Sequence, residues 1–218
     1  MDWSSWIPTI LAGTWDTLYM VLVSTLFTVL FGLPLGILLT VTDKDGLAPA
    51  DAFNSVLGAI VNAARSLPFI ILLVLVIPFT RLVVGTTIGS TAAIVPLVLA
   101  ATPFFARVAE SSLREVDHGL VEAAQSMGCT DWQIIYKVLI PESLSSLILG
   151  VALTIISLIG YSAMAGAIGG GGLGDLAIRY GYQRYETEIM AATVVILILL
   201  VQGVQYAGNT LARRISKK

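Results

Sequence analysis

Four stretches of this 218-residue chain carry no Asp, Glu, Lys or Arg for longer than a bilayer is thick. They run Thr17–Thr42, Leu82–Ala106, Ser143–Gly174 and Ile189–Ala212, with 26, 25, 32 and 24 residues. A helix rising about 1.5 Å per residue needs about 20 residues to cross the hydrocarbon layer. A fifth run, Ser66–Thr80, has only 15 residues between Arg65 and Arg81. Extended back through LGAIVNAA it makes a full span, provided Arg65 lies near an interface or against protein. The reading is an all-α, polytopic membrane protein. Its five transmembrane helices lie near 17–42, 58–80, 82–106, 143–164 and 189–211, in one domain covering 1–218.

Composition supports lipid as the main solvent. The chain is 56% hydrophobic and 12% charged, against about 25% charged in soluble domains. A net charge of −2 leaves no nucleic-acid footprint. The single cysteine, Cys129, excludes an internal disulfide or a cysteine metal cluster. The start, MDWSSWIPTI, lacks a basic n-region, so no signal peptide is expected.

Five crossings put the two ends on opposite sides. The tail carries Arg213, Arg214, Lys217 and Lys218, which the positive-inside rule places in the cytoplasm, leaving the N-terminus outside. That orientation puts nine basic residues inside and three (Arg81, Arg179 and Arg184) outside. Trp3, Trp6 and Trp15 then fit an outer aromatic belt. Small residues and breakers (Gly32, Pro34, Gly36, Pro68, Pro78, Pro96 and Pro103) describe a closely packed bundle, since neighbouring helices re-satisfy freed backbone groups.

One polar segment, 117–141, interrupts the apolar pattern between the third and fourth spans. Arg107, Glu110, Arg114 and Glu115 extend the third helix into the cytoplasm, and Asp117 is a candidate N-cap for the next. Leu120–Met127 makes a short helix that Gly128 ends through a left-handed conformation. Thr130 and Gln133 form a capping box for a second short helix through Lys137, and Pro141 starts the fourth span. The result is a helix–turn–helix knob on the cytoplasmic face. Glu122 is favoured in its first turn by the helix dipole. Ala123 and Ala124 keep one surface thin, and Met127 offers an adaptable apolar contact.

The spacing Glu122-Ala123-Ala124, three residues, Gly128, nine residues, then Val138-Leu139-Ile140-Pro141 resembles the EAA loop of ABC-transporter permeases. Val138 and Ile140 are conservative departures from the usual isoleucine and leucine. From Gly13 onward, RSLPFIILLVLVIPFTRLVVGTTIG, LVEAAQSMG and GYSAMAGAIGGGGLG resemble the permeases of methionine importers. The resemblance implies a type I ABC transmembrane domain in the bacterial cytoplasmic (inner) membrane. Two such chains would pair over two ATP-binding cassette subunits, and a methionine-binding (lipo)protein would deliver substrate from outside. Glu122, Ala123, Ala124, Met127, Gly128 and Pro141 would couple to the ATPase. This chain would be no enzyme and bind no cofactor itself, since ATP and Mg belong to the partner. Alternating access would move methionine, D-methionine or derivatives along a pathway on the two-fold axis between protomers. Tyr161, Ser162 and Met164, beyond mid-membrane on the fourth helix, are the pathway and gate candidates.

Other readings have less behind them. A permease for another small amino acid would share the fold. A secondary transporter would show intramembrane acid–base groups and repeats, and neither is visible. Gly169, Gly171 and Gly174 satisfy G-x-G-x-x-G, yet they follow a membrane helix rather than a strand, so no dinucleotide site is expected. No nucleophile–base pair surrounds His118 or Cys129, so catalysis and metal binding are not expected either.

Overall fold

The computed structural model describes residues 3–216. The side chain of Trp3 and residues Lys217 and Lys218, all used in the topology argument above, lie outside the described residues.

The first helix, α1 (Trp3–Val41), is 39 residues long and begins well before the charge-free run. At about 1.5 Å per residue it reaches some 58 Å, well past both faces of a bilayer. It packs along α5 (Ser90–Arg114), and the small residues of α1 set the spacing. A Cβ at Gly32 would lie 2.9 Å from Phe105, and one at Gly36 would lie 2.7 Å from the Ala109 Cβ. Close backbone approach through small residues drives association where lipid offers no hydrophobic gain. Both prolines of α5, Pro96 and Pro103, are buried.

The expected second span, 58–80, is not one helix. It divides into α2 (Asp51–Arg65), α3 (Phe69–Leu75) and α4 (Ile77–Val84), with α2 and α3 bent by 99°. Pro68 has no N–H to continue α2, and it pushes the preceding Leu67 away from helical angles. The third span also starts later than the expected 82. Leu82–Val84 belong to α4, and Gly85 and Gly89, with φ of 81° and 100°, turn the chain before α5. Among the described residues four helices are long and apolar enough to cross a membrane, or five with the bent pair taken as one crossing.

The remaining long helices are α8 (Ile140–Gly166) and α10 (Thr187–Ile215). Short α6 (His118–Ser126) and α7 (Asp131–Ile134) precede α8, and α9 (Gly172–Leu176) follows it. Met20, Phe69, Leu97, Ala101 and Leu158 form the central core, joining α1, α3, α5 and α8. No strand occurs among the described residues.

Candidate functional site

The polar segment folds as a small domain with a core of its own. Asp117 accepts a hydrogen bond from the Gly119 N–H at 2.7 Å and so caps α6. At the other end, Cys129 N–H reaches the Ala124 carbonyl and Gly128 N–H the Gln125 carbonyl, with Gly128 at φ 77°. That is a Schellman stop, in which one left-handed residue satisfies the last carbonyls. Both bonds of the Thr130–Gln133 capping box are present. Beneath them Leu113, Ala124, Ile134, Ile135 and Leu139 pack together, so the segment is held to α5 by burial rather than hydrogen bonds alone.

The second short helix does not stop before the fourth span. A π-helical turn, Ile135–Leu139, joins α7 to α8 without a break. Ile140 N–H bonds to the Ile135 carbonyl, five residues back. Pro141 lies just after the π-helical turn, within this continuous path, where it has no N–H to donate back to that turn. The loop is therefore continuous with a helix of 27 residues.

The coupling candidates divide by face. Glu122, Ala123 and Gly128 are exposed, and Met127 is 77% exposed. Ala124, in contrast, is buried in the segment's own core and forms no part of the outer surface. Sequence reasoning missed Trp132 and Tyr136, which are 76% and 73% exposed. They are four residues apart, one turn along the same helical path, and large aromatic rings exposed in a loop were the available signal. Glu122 also borders a cleft of about 680 Å³ between α6 and the end of α1, where Asp43 and Arg114 pair at 3.0 Å. His118 lines the same cleft.

The pathway candidates are placed differently from one another. Tyr161 is partly buried, its ring stacked on Phe69 with centroids 4.7 Å apart and planes 10° apart. Ser162 is buried and donates to the Ile159 carbonyl at 2.8 Å. Met164 is 49% exposed, in line with Leu149, Leu153 and Gly160 on the open face of α8. The glycine segment after α8 folds back tightly: the Gly89 N–H donates to the Gly169 carbonyl, and the Leu173 N–H donates to the Thr17 hydroxyl. It has no strand before it, so the dinucleotide match is a packing motif. Cys129 is half-buried beside the loop core, and no metal-ligand cluster occurs among the described residues.

Comparison with known proteins places this arrangement. Residues 32–217 match the family described as the binding-protein-dependent transport system inner membrane component. A probable D-methionine transport system permease protein, MetI, from Vibrio cholerae is 54% identical over 209 residues, 96% of this chain and 93% of that one. The methionine import system permease protein MetP of Bacillus subtilis is 47% identical, over 94% of this chain and 93% of its own. A chain of the inward-facing MetNI methionine ABC transporter superposes with a TM-score of 0.96 at 46% identity, covering 98% of this chain and 99% of that one. A chain of an amino acid ABC transporter with histidines, 21% identical with a TM-score of 0.79, shares the fold. With one family spanning most of the sequence and a packed polar loop continuous with a long apolar helix, the chain belongs to the inner-membrane components of binding-protein-dependent transport systems.

Proposed function

We propose that this chain is the methionine-translocating subunit of an ATP-driven importer. Two copies would form the pathway, two ATPase subunits would hydrolyse ATP with Mg, and a methionine-binding (lipo)protein would supply substrate from outside. The observation that carries the reading is the near-complete match to MetNI, a TM-score of 0.96 over 98% of the chain. The Vibrio cholerae relative, a probable D-methionine transport system permease protein, extends the substrate to that stereoisomer.

In this reading the N-terminus is outside and the C-terminus inside. Helices α1, α5, α8 and α10 supply four crossings and the bent α2–α3 pair the fifth. Glu122, Ala123, Met127 and Gly128 present the docking surface to the ATPase, with Trp132 and Tyr136 beside them. Ala124 serves from within, packing the knob, whereas Pro141 stands exposed where the knob runs into α8. ATP-driven closure of the ATPases draws the two knobs together. Because the helical path runs from the knob into α8 without a break, that displacement moves a lever of about 40 Å. Met164 lies near its far end. Met164 closes the pathway, with Tyr161 and Ser162 shaping the helix beside it.

The test is uptake into proteoliposomes holding the complex, its ATPase and its binding protein. Radiolabelled L- and D-methionine should accumulate with ATP inside, ahead of a panel of other amino acids. Preference for a different small amino acid would keep the permease and overturn the substrate. Uptake driven by an ion gradient without ATP would overturn the importer itself.

A further inference from the structure

The helix α2 carries six polar residues counting Ser66 just past its end: Asp51, Asn54, Ser55, Asn62, Arg65 and Ser66. At about 100° per residue all six fall within one sector of about 120°. Asn54 bonds the Leu39 carbonyl and the Thr42 hydroxyl, and Ser66 bonds the Asn62 carbonyl. Ser55, Asn62 and Arg65 are exposed, and none of their side chains has a partner among the described residues. The opposite side holds Phe53, Val56 and Ile60, exposed and apolar.

The depth of Arg65 is bracketed by two contacts. Seven residues before it, the Gly58 carbonyl accepts from Arg107 of α5. Four residues after it, Phe69 packs with Met20, Leu97 and Leu158 in the central core. Arg65 therefore lies between the levels of Arg107 and Leu97, about 10–25 Å from the cytoplasmic end of α5. An arginine facing hydrocarbon there costs at least about 2.5–3.5 kcal/mol, so such groups face protein or a wet cavity. The helix dipole favours a cation in this last turn but supplies no counter-ion.

Among the described residues no carboxylate reaches that depth. On one side the nearest is Glu110, held by Arg107 at 2.7 Å and Arg114 at 2.6 Å. On the other it is Asp16, beside Gly171 beneath the folded-back glycine segment. A second copy related by an axis along the membrane normal has the same depth profile, so it brings none either. Within this sector Gly58 is buried against Arg107 and Asn54 is held to the end of α1. We propose that its exposed members, Ser55, Asn62 and Arg65, line the aqueous pathway and that Arg65 receives the carboxylate of the transported amino acid. This rests on the importer reading above, and it adds a second helix to a pathway that the sequence placed on α8 alone.

Cysteine scanning of the assembled complex tests it, each variant against the unmutated complex, in which this chain's only cysteine is Cys129 and any cysteines of the partner subunits contribute equally to both. Ser55→Cys, Asn62→Cys and Arg65→Cys should react with water-soluble methanethiosulfonates bearing ethylammonium or ethylsulfonate, of which the permanently charged sulfonate is the membrane-impermeant probe. Phe53→Cys, Val56→Cys and Ile60→Cys should react only with a lipid-soluble maleimide. Arg65→Cys should lower kcat/KM for methionine uptake by roughly tenfold or more, the loss of one charge-assisted hydrogen bond. The ethylammonium adduct should restore uptake and the ethylsulfonate adduct should not, with ATP hydrolysis retained in both. Labelling of Arg65→Cys by the maleimide alone would mean that Arg65 reaches a lipid phosphate, and the proposal falls. Wild-type uptake by Arg65→Cys, or equal rescue by both adducts, overturns it as well. Failure of the unmutated complex to import methionine would sink the transport reading, while the labelling pattern, which needs no transport, would still decide whether the α2 face is wet.

Discussion

Arg107 donates to the main-chain carbonyl of Gly58 at 2.9 Å, joining the C-terminal part of α5 to the middle of α2. Glycine makes the contact possible, since a Cβ at Gly58 would already lie 3.0 Å from that guanidinium. The same guanidinium holds one Glu110 oxygen, and Arg114 holds the other and reaches Asp43 after α1. Four charges thus fasten α5 to α2 and to the α1–α2 connection, directly above the loop that meets the ATPase in our reading.

Glu110 is the buried member of this set, 5% exposed. Glu110→Ala leaves Arg107 without its counter-ion and should cost about 3 kcal/mol. Loss of the Arg114 contact adds little, because Arg114 is half exposed and screened by water. A fall of several degrees in the melting temperature of the purified protein is expected. Arg114→Ala should stay near wild type. Equal melting temperatures for Glu110→Ala and the parent would show that the set carries no stability.

Gly128 separates backbone demands from partner demands. Its φ is 77°, yet nothing lies within 4 Å of where a Cβ would stand. Any steric penalty inside the chain is therefore conformational, about 1 kcal/mol or more for a β-branched residue. Gly128→Val should impair assembly with the ATPase and methionine-dependent ATP hydrolysis while membrane insertion survives. Gly128→Asn, which tolerates the left-handed region, should retain both. If Asn fails as Val does, a partner approaches too closely for any side chain. If Val behaves as wild type, the knob account is wrong.

These contrasts explain what the sequence could disclose. Asp117, Gly128 and the Thr130–Gln133 box were legible because each rests on local chemistry within a few residues. The break at Leu67–Pro68 left a signal as well, but hydropathy over 58–80 concealed it: apolar length says nothing of direction. The π-helical turn at Ile135–Leu139 has no residue code, so two separate helices were expected where one path runs. Burial of Ala124 and Ser162 depends on which helix face meets a neighbour, which one apolar sequence leaves open. The polar sector of α2 was countable from residue numbers, yet it gained meaning only when Gly58 and Phe69 fixed its depth.

Tyr161 illustrates the need to divide packing from transport. Its ring lies flat on Phe69, a pair worth about 0.5–1.5 kcal/mol beyond burial. Tyr161→Phe preserves that ring and should leave thermal stability and uptake close to wild type. Tyr161→Ala should lower both, uptake by roughly tenfold, because α3 loses its rest on α8. A selective rise in KM for Tyr161→Phe, at unchanged stability, would instead assign the hydroxyl to the substrate.

Met164 supplies the gate test. Leu149, Leu153, Gly160 and Met164 repeat at four- and seven-residue intervals, and all four are exposed within one copy. Nothing in the chain lies within 4 Å of a Cβ at Gly160, so this face of α8 is open at that level. Two copies meeting here on a two-fold axis would bring Met164 against its counterpart, a flexible apolar pair that a substrate can displace. Met164→Cys should then form a disulfide between copies in the nucleotide-free complex, since that bond needs Cβ atoms about 3.5–4.5 Å apart. Uptake should stop on oxidation and return on reduction. Trapping the ATPases closed before oxidation should lower the crosslink yield, because the lever would have carried the two residues apart. Ser162→Cys, buried two residues away, is the control and should stay uncrosslinked. Normal transport by an oxidised Met164→Cys complex with no crosslink would place the gate elsewhere on α8, and a crosslink equally strong in both nucleotide states would make Met164 a fixed contact rather than a gate.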